Sequence, residues 1–281
     1  WCLVGSEMCI RDRAMIVPGA GNALTARVIA DRQFEAVYVT GAGIANTHLG
    51  TPDIGLVTLT ELAATVSTIA EICQLPLVVD IDTGFGNAIN TRRTVRLIER
   101  AGGFAMQIED QVFPKKCGHF SGKAVIPVEE ALSKIKAAVD AREDENTMII
   151  ARTDARAIDG IEAALDRAEA FIEAGADMTF VEAPRSEAEM EMITKRLSVP
   201  QVANMVVGGK TPLTPQARLV ELGFSLILYA NTPLQAAMRA MTDVLNALKL
   251  DGDVSSVIDR LADFDERQRL VDKAIYDALE E

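Results

Sequence analysis

Eight short apolar runs, separated by longer amphipathic stretches, set the limits on what this chain can fold into. They are MIV at 15–17, AVYVT at 36–40, LPLVVDID at 75–82, FAMQIED at 104–110, TMIIART at 147–153, MTFVEA at 178–183, PQVANM at 200–205 and SLILYA at 225–230. None shows the polar alternation of a strand with one wet face. Near-continuous hydrophobicity is the pattern of parallel strands covered on both sides. The stretches between them carry helix signals. Thr58 and Glu61 have capping-box spacing at the head of a stretch to about Cys73. Asn90 to Arg100 closes at Gly102 and Gly103. Pro127 opens a stretch to about Arg142, 160–173 closes at Gly175, and 186–197 follows. Thr214-Pro215 and Thr232-Pro233 each read as an N-cap with proline at the first helical position, the second helix running to about Leu248. Strand then helix, eight times over, predicts a (β/α)8 TIM-type barrel. A doubly wound sheet is the alternative. Its phosphate-turn fingerprint is weak here, because Gly19 and Gly21 have no third glycine in register.

The barrel is expected over 14–250. Segment 1–13, WCLVGSEMCIRDR, has its charges after the apolar stretch rather than before it, unlike a signal peptide, and shows no helical period. It reads as a non-native leader and is set aside. Residues 251–281 form an extension with one or two helices, over 255–262 and 266–279. Val257, Ile258, Leu261, Leu270, Val271, Ile275 and Leu279 fall on one side of them. A barrel does not need these helices, and a neighbouring subunit is the expected partner for their apolar stripe. The net charge of −13, with Lys and Arg scattered among acids, argues against a nucleic-acid or anionic-membrane binder. No apolar run is long enough to span a bilayer. Cys73 and Cys117, without CxxC spacing, suit a reducing, cytoplasmic setting.

In a barrel, chemistry gathers at the carboxyl ends of the strands. Those ends carry Thr40, Gly41 and Ala42; Asp80 and Asp82; Glu109; Arg152; Glu182; and Asn204. Asp80 and Asp82, two apart on a strand, are expected to project to one face. Two carboxylates in one cavity need a cation or a proton between them. Oxygen ligands favour a hard ion, Mg²⁺ or Mn²⁺ in its place, with Glu109 and Glu182 as possible further partners. The plain alternative is that these acids cap helices or pair with Arg152.

The segment PKKCGHFSGK at 114–123 admits three readings. Half a zinc site is poor, because only His48 and Cys73 remain as soft ligands, one a loop residue and the other on a helix's apolar stripe. A reactive thiol is better supported, since Lys115, Lys116 and His119 surround Cys117 and cations lower a thiol's pKa. A solvated turn with an incidental cysteine is the third.

Taken in order, VVDIDTGFGN, QIEDQVFPKKCGH, IIARTDARA, FVEAP and ANMVVGGKTPL resemble the isocitrate lyase / phosphoenolpyruvate mutase superfamily. The branch is the short bacterial one that holds methylisocitrate lyase, dimethylmalate lyase and oxaloacetate hydrolase-like enzymes. The resemblance covers roughly 15–250. It implies a Mg²⁺-dependent barrel, a homotetramer with exchanged C-terminal helices, and a small carboxylate substrate. It assigns Asp80 and Asp82 to the metal, with Glu109 in its outer shell. Thr40, Gly41 and Ala42 match the turn that binds the keto-acid end. Cys117, Gly118 and His119 match the gating loop, with Cys117 as proton donor. Arg152, Glu182 and Asn204 match residues that hold substrate carboxylate and hydroxyl groups. The base is open, with Tyr38 a candidate. The implied reaction is carbon–carbon cleavage of a 2-hydroxy di- or tricarboxylate, of alkylmalate or methylisocitrate type. Oxaloacetate hydrolysis or decarboxylation, and phosphonate chemistry, are alternatives; the phosphorus enzymes need no thiol acid, so Cys117 speaks against them. A non-catalytic binder is disfavoured by the full set of strand-end acids. The sequence departs from the family pattern in four places. The helix before the first strand is missing or replaced by 1–13. Asn22 stands for Asp, Phe85 stands for Tyr, and no acid follows Asn204 in NMVVGG. These departures favour a smaller malate-type acid.

Overall fold

The structure is a computed structural model that describes residues 14–118 and 122–280. Each apolar run forms a strand: β1 (Met15–Ala20), β2 (Val37–Val39), β3 (Leu77–Asp80), β4 (Gly103–Glu109), β5 (Met148–Thr153), β6 (Met178–Val181), β7 (Val202–Asn204) and β8 (Leu226–Tyr229). All are parallel, in the order β6-β5-β4-β3-β2-β1-β8-β7. The ring closes between β6 and β7 at a single bridge, Thr179 to Gln201, backed by the Thr179 hydroxyl donating to Gln201 Oε1 at 2.9 Å. This order is a barrel and excludes the doubly wound sheet.

A principal helix follows each strand: α1 (Ala23–Asp31), α2 (Leu59–Ile72), α3 (Ala88–Arg100), α4 (Val128–Val139), α5 (Ile161–Glu173), α6 (Glu187–Arg196), α7 (Gln216–Leu222) and α8 (Thr232–Asp251), with short helical turns besides at Gly41–Ile44, Ala45–Leu49 and Arg156–Asp159. The Thr58–Glu61 capping box forms as expected. α3 starts two residues before Asn90, because Asn87 and Asn90 make a reciprocal cap of their own. The two threonine caps before proline do not form. Pro215 itself precedes α7, and the Thr214 hydroxyl donates to the Pro212 carbonyl instead. Thr232 lies inside α8, with Asn231 before it. Proline tolerates either place, since the first helical N–H groups have no intrahelical acceptor to lose.

Side chains two apart along the strands fill the barrel: Val17, Tyr38, Val78, Ala105, Ile150, Phe180, Val202 and Leu228 form one buried cluster. One step further along, or two for Glu109, the same faces carry Asp80, Glu109, Arg152, Glu182 and Asn204. The apolar plug therefore ends where the polar site begins, and period two fixes that boundary. Two outer clusters pack strands against helices, one around Val39, Val79, Met106 and Ile149, the other around Val181, Ala203 and Ile227. Cys73 sits in the first, 4 % exposed, as a small apolar filler.

The extension is shorter in helix than expected. A 3₁₀ turn spans Ser255–Arg260, then α9 (Phe264–Leu270) and α10 (Lys273–Asp277) are divided at Asp272, whose φ of +55° breaks the helix. α9 lies on α1 through Arg269–Asp31 and Arg27–Asp272 ion pairs. Of the expected apolar stripe, Val257 is buried, while Ile258, Ile275 and Leu279 are exposed. Along α8 only Ala247 is buried, and Met238, Met241, Leu245 and Leu248 face outward. Among the described residues no helix is long and apolar enough to cross a membrane.

Candidate active site

Asp80 ends β3, and Asp82 lies beyond the strand with φ of +47°. The expected pleat is therefore not what pairs them. A left-handed turn, which aspartate tolerates better than most residues, swings Asp82 back beside Asp80. Its backbone N–H donates to Asp80 Oδ1 at 3.1 Å. Both carboxylates reach the backbone of Gly41, where a Cβ would lie 3.2 Å from Asp82 Oδ1 and 3.3 Å from Asp80 Oδ2. Only a residue without a side chain leaves that corner open. Lys115, 3 % exposed, enters it and pairs with Asp82 at 2.8 Å and Asp53 at 2.5 Å. Burial, with Asp80 and Asp53 adding and Lys115 opposing, pushes the Asp82 carboxyl up to about 7. Burial alone would lower Lys115, but Asp82, Glu109, Asp80 and Asp53 together hold it well above the usual lysine range.

Arg152 stands at the centre of the opposite wall. Its Nε and Nη2 donate to Asp154 at 2.9 and 3.2 Å; Nε is also 3.3 Å from Glu109 Oε2, and Nη2 3.6 Å from Glu182 Oε2. Its guanidinium lies 5.2 Å from the centre of the Phe180 ring. The two-pronged carboxylate partner of Arg152 in the structure is thus Asp154 of the same chain. Among the described residues Nη1 is the edge left over. Arg152 does not pair with Asp80 or Asp82, so the plain alternative for that pair does not hold. Burial would raise Asp154, yet Arg152 and Lys123 hold it below the usual carboxylate range. Burial raises Glu109 well above that range, against the pull of Arg152 and Lys115.

Tyr38 lies beneath, 3 % exposed, its hydroxyl donating to Gln107 Oε1 at 3.1 Å. Burial first, with Asp80 adding, raises the phenol well above its ordinary value. A phenol in that state keeps its proton and donates, which counts against the expected role as base.

Cys117 and Gly118 close the mouth. They share one pocket with Tyr38, Thr40, Ala42, Asp80, Glu109, Arg152, Glu182 and Asn204. Tyr38 and Asn204 are 166 positions apart in the chain, and the ends of six strands, β2 to β7, with the loop after β4 supply these residues. Gly118 presses so closely on the Arg152 wall that a Cβ would stand 2.5 Å from Arg152 Nη2 and 2.7 Å from Glu182 Cδ. The space is about 40 Å³, room for about three waters. Thr40 accepts from the Gly43 N–H and so opens the helical turn Gly41–Ile44. The N–H groups of Gly41 and Ala42 begin that turn and have no intrahelical acceptor. His119 falls outside the described residues.

The phosphoenolpyruvate phosphomutase family model matches residues 9–249. 2,3-Dimethylmalate lyase of Eubacterium barkeri is 46% identical over 260 residues, covering 92% of this chain and 90% of that one. The chain belongs to the phosphoenolpyruvate mutase / isocitrate lyase family. A second relative, 2-methylisocitrate lyase of Aeropyrum pernix, is 43% identical over 92% of this chain and 83% of its own length. Lyases at this level of identity place the chain among the carbon–carbon lyases of the family. A crystal structure of 2,3-dimethylmalate lyase matches with a TM-score of 0.89 at 34% identity, over 95% of this chain and 90% of that one. Oxaloacetate acetylhydrolase with 3,3-difluorooxalacetate matches at 0.89 and 31%, over 96% and 91%. Phosphonopyruvate hydrolase with oxalate and Mg²⁺ matches at 0.86 and 29%, over 96% and 94%.

A divalent ion of the kind seen in that family fits the residues in hand. The donors are oxygens, two carboxylates converge at Gly41, and Glu109 Oε1 and Asn204 Oδ1 are buried without a hydrogen-bond partner among the described residues. Among those residues no three His, Cys, Asp or Glu side chains form a closed cage. Mg²⁺ does not require one, because it binds through one or two carboxylates and completes its shell with water and substrate. Asp53 and Lys123 escaped the sequence reading. Asp53 lies in a long loop after β2 and pairs with Lys115 across 62 positions. Lys123 and Asp154 pair with each other. Val206 lines the pocket where the family pattern has an acid. Asn231, at the head of α8, also lines it and lies 3.5 Å from the Thr40 hydroxyl. Asn22 has another use, capping α1 by accepting from the Thr25 N–H at 2.9 Å.

Proposed function

We propose that the chain is a Mg²⁺-dependent lyase that cleaves a 2-hydroxy dicarboxylate of the alkylmalate type into a 2-oxo acid and a carboxylate. The observation that carries this reading is the meeting of Asp80, Glu109, Arg152 and the Cys117 thiol in one small pocket. The substrate class rests on Val206 and Ala230 in the same lining. An apolar corner suits an alkyl branch and gives a third carboxylate no partner.

A divalent ion at Asp80 and Asp82 supplies Lewis-acid polarisation of substrate oxygens when bound. The chain's own groups do the rest. The N–H groups of Gly41 and Ala42 meet the carboxylate at the keto-acid end. Arg152 Nη1 donates to the second carboxylate, held in aim by Asp154. Asn204 and Glu182 face the hydroxyl. The bond between the hydroxyl-bearing carbon and its neighbour breaks as the hydroxyl gives its proton to the Glu182 carboxylate that faces it. The electron pair goes to the carbon beside the departing carboxylate, and the Cys117 thiol gives that carbon a proton. Substrate entry requires the Cys117–Gly118 segment to withdraw, since it fills the mouth as the chain stands.

Purified protein with Mg²⁺ is to be offered alkylmalates, 2-methylisocitrate and oxaloacetate, with the 2-oxo acid or oxalate released identified by mass. Cleavage of an alkylmalate at the highest kcat/KM supports the proposal. Preference for oxaloacetate would favour the hydrolase reading instead. The exposed face of α8 is assigned to further copies of this chain, as a homotetramer, which light scattering in solution tests. A cytoplasmic setting suits Cys73 and Cys117, neither of which is in a disulfide.

A further inference from the structure

Lys123 ends the segment 114–123 and has no role in any of its three readings, yet its side chain is 1 % exposed and touches two parts of the site at once. It pairs with Asp154, and it donates to the Gly118 carbonyl at 2.5 Å. Asp154 is fully buried and grips Arg152 with both oxygens. One ammonium therefore joins the backbone beside Cys117 to the carboxylate that aims Arg152. A buried lysine is costly unless paired, so the bond persists only while the Cys117–Gly118 segment is seated. Asp154 gains in turn, since Arg152 alone faces it otherwise.

We propose that Lys123 is a positioning residue: it fastens the Cys117–Gly118 segment to Asp154, so that the thiol is in place when Arg152 is aimed. This deepens the lyase reading and rests on it for its meaning, while its geometry stands apart from any substrate. Lys123 touches no reacting atom, and its effect runs through Gly118 and Asp154.

The test measures alkylation of Cys117 by iodoacetamide in the full chain, read on the Cys117 peptide by mass spectrometry so that other thiols do not interfere. Lys123→Met is expected to raise the alkylation rate about tenfold, as an unfastened segment exposes the thiol. Loss of a positive charge acts the other way on a thiol, so faster reaction reports position and not electrostatics. Lys123→Arg, which keeps charge and donors, is expected to restore the slow rate. Lys123→Gln serves if the methionine variant does not fold, since it retains a donor for the Gly118 carbonyl but no charge for Asp154. An unchanged rate in a folded variant overturns the proposal, and so does unfolding of both variants, which would make the pair a stability element only. Faster alkylation with no cleavage of any 2-hydroxy acid, by wild type or variant, leaves the fastening in place and removes the lyase reading.

Discussion

Lys115 and Asp82 form an ion pair of 2.8 Å at the corner where Asp80 also points, with side chains 3 % and 11 % exposed. The protein supplies its own cation to a site whose acids repel one another. Any metal ion bound there competes with that ammonium and with the proton on Asp82.

The competition has a pH signature. Because burial, Asp80 and Asp53 push Asp82 up to about 7, an ion that takes it as ligand must displace a proton. Mn²⁺ or Mg²⁺ affinity is expected to weaken roughly tenfold per pH unit below about 6 and to level off above about 7. Calorimetric titration at several pH values measures this. The same raised carboxyl makes the ion-free fold lose stability as pH climbs from about 4 through about 7, and ion binding is expected to cancel that loss. A pH-independent affinity would count against Asp82 as ligand.

Cys117→Ser is expected to lower kcat by about 10²–10⁴, because a hydroxyl holds its proton far more firmly than a thiol. Thermal midpoint and ion binding should not change. Release of 2-oxo acid at an undiminished rate would show that another group delivers the proton.

Arg152→Met is expected to cost about 3–5 kcal/mol of stability, the range for removing one partner of a buried ion cluster. Asp154, Glu109 and Glu182 all face that guanidinium, so the loss should exceed what its packing on Phe180 accounts for. Urea unfolding of the two proteins compares them. A change under about 1 kcal/mol, in the range of an exposed pair, would mean that the three carboxylates are neutral in the native state.

Gly118→Ala tests the close approach at the mouth. The added methyl would meet Arg152 and Glu182 inside contact distance, so the segment must shift outward. A displacement near 1 Å is expected to reduce kcat/KM by about 10²-fold while stability stays within about 1 kcal/mol. Steady-state kinetics on the preferred acid measures it, and unaltered kinetics would show that this contact is not kept during turnover.

The barrel was legible because burial on both faces leaves a strand little freedom in composition, and eight such runs admit few arrangements. The site was legible mainly where its residues sit at strand ends, with Cys117 and Gly118 in their loop found through the motif they belong to. Asp80, Glu109, Arg152, Glu182 and Asn204 follow from period two. Asp82 lies beside Asp80, but a left-handed turn and not the expected pleat brings it round. Asp53 and Lys123 were missed because they lie in loops, where no period marks which side chain turns inward. Their partners are 62 and 31 positions away. The caps at Thr214 and Thr232 failed because proline fits on either side of a helix start, so local spacing did not settle which residue came first.

The ring of strands has one weak joint, the lone bridge between Thr179 and Gln201. Glu182 and Asn204 stand just above it, on either bank. These two side chains thus face each other across a joint held by one bridge and one side-chain bond, where every other neighbouring pair of strands shares a run of ladder partners.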